Sequence, residues 1–225
     1  LGYSDADIKR LRETWDELSL NAIYFGRPVE REGLLYEKQE LRTYFSLPDK
    51  EPDAVLAICD TKEQGADYCT MPIMYQYGND FYMDKVIFDN GKVEMLEERV
   101  AQNLLDRKVR MCRIESNRGG TIFAQNVEKR VKELGGMTSI NTKWTQSNKE
   151  TRIQVNSALV KQRVLFKDAS LYEQDREYRD FMNQTTSYSM MGKNKHDDVP
   201  DAMSMLTGYI VNYESGRVTL MNRIF

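Results

Sequence analysis

The sequence is poor in the residues that most often carry enzyme chemistry or lock a fold covalently. It has a single histidine, His196, so a Ser-His-Asp triad could only be built on that residue, and no His/Cys metal cluster is available. The three cysteines, Cys59, Cys69 and Cys112, are an odd number, and two fall inside apolar runs. That predicts buried thiols in a reducing compartment and excludes a disulfide framework. No apolar run approaches the ~20 residues of a membrane span, and the start has no signal-peptide pattern, so no membrane association is expected. Neither a Gly-x-Ser-x-Gly elbow nor a Gly-x-x-x-x-Gly-Lys-Ser/Thr loop occurs, so ATP binding by this chain alone is not expected. Internal repeats, low-complexity segments and heptads are absent as well.

What is present suits a soluble globular protein. The 225 residues, 40% hydrophobic and 30% charged, are enough for one large domain or a domain with an appendage. The net charge of −3 conceals an asymmetry: residues 99–163 hold 14 Lys/Arg against 5 Asp/Glu. A basic middle in an acidic protein is what a surface for a phosphate backbone looks like, although solvated helix faces account for the charge equally well. The chain opens Leu-Gly-Tyr, not Met, which suggests a fragment of something longer.

In chain order, Ser4 to Asn21 has helical spacing (Ile8, Leu11, Trp15, Leu18), and polar connecting chain runs on to Pro52. An α/β pattern begins at Ala54. The run AVLAICD predicts a fully buried strand ending on Asp60, and Tyr68–Tyr77 a second strand. Gly78-Asn79-Asp80 signals a hairpin into a third strand at 81–88. A helix carrying Leu96, Val100 and Leu104 leads to a fourth strand, VRMCRIE, ending on Glu115. The next helix, with Phe123, Val127, Val131 and Leu134 inward, stops at Gly135-Gly136, and a fifth strand follows at about 138–143. Helices are expected at 149–162 and 172–183, with a short extended piece at 163–167 between them. The expected architecture is α/β, with a central mixed five-stranded sheet, three antiparallel strands then two parallel, flanked by helices.

The densest chemistry lies in NKHDDVPDAMSML, residues 194–206, where Asp197, Asp198 and Asp201 open a final helix. A helix cap at Asp198 with Asp201 at its third position explains two of these acids without any ligand. It leaves Asp197 idle and does not account for Asp60 and Glu115. If the strands ending on Asp60 and Glu115 are neighbours, their carboxylates can share a hard divalent cation with the helix acids. Such a group suits two ions ~3.5–4 Å apart that hydrolyse a phosphodiester. His196 is read as a neighbour of the acids, not a ligand, and Asp67 as a turn residue.

These motifs, in this order, resemble the RNase H-like nuclease domain of tailed-phage large terminase subunits. The stretches that carry the resemblance are ICDTKEQGAD, IESN, the SNKETRI helix start, HDDVPDA and the leader GRPVEREGLLY. The resemblance implies an endonuclease that cuts concatemeric viral DNA during packaging. Asp60, Glu115 and the Asp197/Asp198/Asp201 group would hold Mg²⁺ or Mn²⁺, two ions being expected. Asp198 and Asp201 are favoured, because residues three apart on a helix share a face, whereas Asp197 is expected to point elsewhere. Arg118, Lys143, Lys149 and Arg152 would hold the duplex backbone.

The same resemblance implies residues 1–52 as a connector from an ATPase domain, 53–215 as the nuclease domain and 216–225 as a tail. Implied partners are double-stranded DNA, an N-terminal ATPase domain, a small terminase subunit and the portal, in the host cell cytoplasm. The alternatives are a resolvase- or transposase-like nuclease of the same fold, and a non-catalytic module that binds DNA or docks a motor.

Overall fold

The computed structural model describes residues 33–61, 68–143, 149–190, 194 and 197–221, with backbone alone for 118 and 211–221. The expected helix at Ser4 to Asn21, most of the turn that holds Gly65 and Asp67, and His196 lie outside the described residues.

Strand β2 (Ala54–Cys59) is buried along its whole length. Six apolar residues with no polar face require cover on both sides, and β2 accordingly lies inside the sheet. It is antiparallel to β3 (Cys69–Tyr77) and parallel to β5 (Met111–Glu115). β3 turns back into β4 (Asp80–Asp89), with Tyr77 opposite Asp80. Gly78 takes φ 60° in that two-residue turn, a conformation that L side chains rarely adopt. Pro72 lies within β3, where it cannot donate to the ladder, and the register shifts at the next position, between Ile73 and Met74.

Helix α1 (Val93–Asp106) carries the chain from β4 to β5, and α2 (Gly120–Glu133) carries it on to β6 (Ser139–Lys143), parallel to β5. The described helices continue with α3 (Lys149–Arg163), α4 (Arg176–Ser187) and α5 (Asp198–Met221). Together with the sheet they make the mixed α/β layout expected.

The sheet has seven strands, not the five expected, in the order β1-β7-β4-β3-β2-β5-β6. The extra strands are β1 (Arg42–Tyr44) and β7 (Val164–Lys167). β7, expected only as an extended piece, pairs parallel to β4, and β1 pairs parallel to β7. Three or four residues carry too little periodicity to be recognised locally. They become strands because α3 delivers the chain to the edge of β4, whose backbone groups need partners. Leu35, Tyr36 and Leu41 are buried in the same core as the sheet and its helices.

Two apolar layers flank the sheet. One packs Leu56, Ile58 and Phe81 against Ile153, Phe181, Met203 and Leu206 from α3, α4 and α5. The other packs Ala57, Ile73 and Cys112 against Leu96, Val100, Phe123 and Val127 from α1 and α2. All three cysteines are free and buried, as expected. Among the described residues, no helix is long and apolar enough to cross a membrane.

Candidate active site

The parallel register of β2 and β5 places Cys59 opposite Ile114, so Asp60 and Glu115 follow at the next position on adjacent strands. Asp60 is also held by Thr70 on β3 through two backbone hydrogen bonds of 2.9 Å each. Glu115 in turn lies opposite Lys143 on β6. This edge is where α3 and α5 begin.

The start of α5 brings its acids onto cations from α3. Lys149 Nζ lies 2.8 Å from Asp197 Oδ1 and 3.3 Å from Asp201 Oδ2. Arg152 pairs with the other oxygen of Asp201, a residue only 5% exposed. Asp197 therefore does not point elsewhere. Its carbonyl accepts the Asp201 N–H at 3.1 Å, and residues four apart on a helix share a face, so both carboxylates reach the same ammonium group. Asp198 is the first residue of α5.

Electrostatics ties the strand acids to the helix acids. The Asp60 carboxyl is pushed well above the usual carboxylate range by burial, then by the charge of Glu115 and a hydrogen bond with it, then by Asp201; Lys149 opposes the shift. Burial alone would pull Lys149 down, but Asp201, Asp197 and Asp60 hold its ammonium group charged, with its pKa raised. Asp60, Glu115, Asp197 and Asp201 thus act as one group that is short of positive charge. Their oxygens are hard donors of the kind Mg²⁺ and Mn²⁺ prefer. Among the described residues, no three His, Cys, Asp or Glu side chains are already arranged to hold a metal ion. The chemistry of the donor set fits a divalent cation, with both oxygens of Asp201 taken up by Lys149 and Arg152.

Residues 59–164 match the family model for the bacteriophage T7 terminase, ribonuclease H-like domain. Over that stretch, just under half of the chain, the sequence is similar to the terminase RNase H-like domain family. None of the curated proteins matches the sequence. Among solved structures, the large terminase of a thermophilic bacteriophage is similar at 15% identity and TM-score 0.55, covering 94% of this chain and 53% of that one. The chain therefore spans about half the length of that relative. The human cytomegalovirus terminase nuclease domain, soaked with Mn and with an inhibitor bound, is similar at 13% identity and TM-score 0.55. That match covers 79% of this chain and 95% of the viral domain. At such identities the likeness is one of fold.

Of the cations expected to contact DNA, Lys149 and Arg152 are ion-paired with acids. Lys143 is exposed beside Glu115, and the side chain of Arg118 lies outside the described residues. Two residues of this edge lie outside the set of site residues expected. Asn117 donates from Nδ2 to Glu115 Oε1 at 2.8 Å. Gly120 packs so closely that a Cβ there would overlap the Glu115 carbonyl oxygen. The signal that could have found both is their position, two and five residues after a strand-ending acid.

Proposed function

We propose that this chain is a metal-dependent DNA endonuclease, the nuclease part of a viral DNA-packaging terminase, cutting concatemeric double-stranded DNA. The observation that carries the reading is the meeting of Asp60 and Glu115 at the ends of adjacent strands, where burial, then Glu115 and Asp201, raise the Asp60 carboxyl. Carboxylates crowded together in a buried place are unfavourable for an isolated protein, and such perturbed groups cluster at functional sites. Asp60, Glu115 and the Asp197/Asp198/Asp201 group would hold Mg²⁺ or Mn²⁺, with two ions expected. When bound, those ions supply Lewis-acid activation of water and neutralise charge on the leaving oxygen.

The chain's own residues bind and orient. Lys149 and Arg152 hold Asp197 and Asp201 against the sheet edge, and they are cations that a phosphate entering the site would meet. Lys143, with Arg118 in the same basic stretch, would hold the duplex backbone without reading its sequence.

The large terminase of the thermophilic phage, about twice the matched length, has been solved with ADP and with ATP-γ-S. By that likeness this domain would work behind an N-terminal ATPase domain, with a small terminase subunit and the portal, in the host cell cytoplasm. A plasmid-nicking assay with Mn²⁺, Mg²⁺ or EDTA tests the reading. Cleavage that depends on the ion supports it, and no metal-dependent cleavage at micromolar protein refutes it.

A further inference from the structure

We propose that Asn117 is a positioning residue of this site, orienting Glu115 through its amide nitrogen and presenting its amide oxygen to the divalent cation. The inference rests on the nuclease reading above and adds to it a residue outside the acid group. Asn117 opens the single 3-10 turn, Asn117–Gly119, between β5 and α2. Its Nδ2 donates to Glu115 Oε1 at 2.8 Å. A carboxylate only accepts, so this contact fixes which end of the amide faces Glu115. The other end, Oδ1, is buried and has no hydrogen-bond partner among the described residues.

Both heteroatoms of an amide sit on one carbon, so Oδ1 too lies beside the Glu115 carboxylate. A buried acceptor left unpaired is costly and calls for an explanation. Amide carbonyl oxygens are hard ligands, used beside carboxylates for divalent cations. A cation shared by Glu115 and Asn117 would satisfy that oxygen and the excess negative charge together.

The backbone around Asn117 is built to keep it there. Ser116 N donates to Lys143 O at 3.1 Å, tying the turn to β6. Gly119 adopts φ 104°, and the open side of Gly120 lets α2 start directly against the Glu115 carbonyl. The backbone that carries Asn117 is therefore held at the Glu115 edge.

The test is Mn²⁺ affinity, measured by titration calorimetry on the full 225-residue chain without DNA, with thermal melting as the control on folding. Asn117→Ala should weaken Mn²⁺ binding by about 10–100-fold, the scale for losing support of a metal ligand. Asn117→Asp keeps the size and restores a hard oxygen, so it should bind Mn²⁺ within a few-fold of wild type, while its metal-free form melts earlier because Glu115 faces a second carboxylate. Asn117→Asp also carries the test if the alanine variant does not fold. Wild-type affinity in Asn117→Ala overturns the inference and leaves the nuclease reading standing. Affinity in Asn117→Asp as weak as in Asn117→Ala overturns the oxygen-donor role. A wild-type chain that binds no Mn²⁺ refutes both this inference and the nuclease reading.

Discussion

Two clusters of opposite charges hold this domain together, and they behave in opposite ways. One joins β4, α1 and α4: Lys85 lies 2.9 Å from Asp175, and Arg99 bridges Asp89 at 2.6 Å and Glu177 Oε1 at 2.8 Å. Its acids have backbone work too, since Asp175 accepts from Tyr178 N at 3.2 Å at the start of α4 and Glu177 accepts from Phe88 N at 3.3 Å. Burial would raise Asp175, but the Lys85 hydrogen bond, the Tyr178 N–H and the charges of Lys85 and Lys167 bring it below the usual range. The other cluster, at the edge of β2 and β5, leaves Asp60 raised by burial and by Glu115. Similar residue types give a satisfied network in one place and a cation-deficient one in the other. Counting ion pairs would not separate them; the balance of charge does.

That contrast can be broken most sharply at Asp60. Asp60→Asn should lower metal-dependent nicking at least about 100-fold, the scale of losing a group that stabilises transition-state charge. It should also abolish any rise in melting temperature on adding Mn²⁺. Retained nicking would remove Asp60 from the site. Gly120→Ala comes next, because its Cβ would force the Glu115 carbonyl to move. Nicking should fall on the order of 10-fold or more, as when a ligand loses its support. Wild-type nicking and melting in this variant would show that the contact is not needed.

Glu177→Ala tests the satisfied network. Arg99 is about a third exposed, which tempers the loss, so urea unfolding should show about 1–3 kcal/mol of destabilisation. Nicking at low temperature should not change, and a loss of nicking without a loss of stability would erase the distinction between the clusters.

The smallest effects are those of pH. Asp175 is lowered on folding, so its stabilisation is present above the unfolded carboxylate pKa and is lost as pH falls through its folded value. Asp60 is raised, so its contribution is full below the unfolded pKa and is lost as pH rises through its folded value. Melting of the metal-free protein against pH should fall at both ends. Asp175→Asn should flatten the acid limb and Asp60→Asn the upper one. Assignments in the reverse order would contradict the charge balance described.

Much of the fold was legible because its signals are local. AVLAIC has no polar face and reads as a central strand, and Gly78-Asn79 between two apolar runs reads as a hairpin. Gly135-Gly136 marks the end of α2, where Gly135 takes φ 77° and Gly136 N donates to Val131 O at 2.8 Å. β1 and β7 were not legible, since nothing in three or four residues distinguishes a strand from an extended connector. At the site, Asp60 and Glu115 stood out as acids closing apolar strands. Lys149 and Arg152 look like free DNA contacts in the sequence because their acidic partners lie 48 and 49 residues further along the chain. Asn117 was missed because a polar residue in a turn is unremarkable until its amide is seen on a carboxylate.

By itself the sequence determined the mixed α/β class, the helices and strands with a clear period, and the set of acids able to share a cation. These follow from apolar periodicity, turn residues and residue chemistry, each confined to a few neighbouring positions. The tertiary structure alone decided that seven strands share one sheet and that Asp60 stands next to Glu115. It also decided that Asp197 and Asp201 meet Lys149 and Arg152. Those outcomes depend on which backbone edge lacks partners and which charges are buried together, and both are set by segments far apart in the chain.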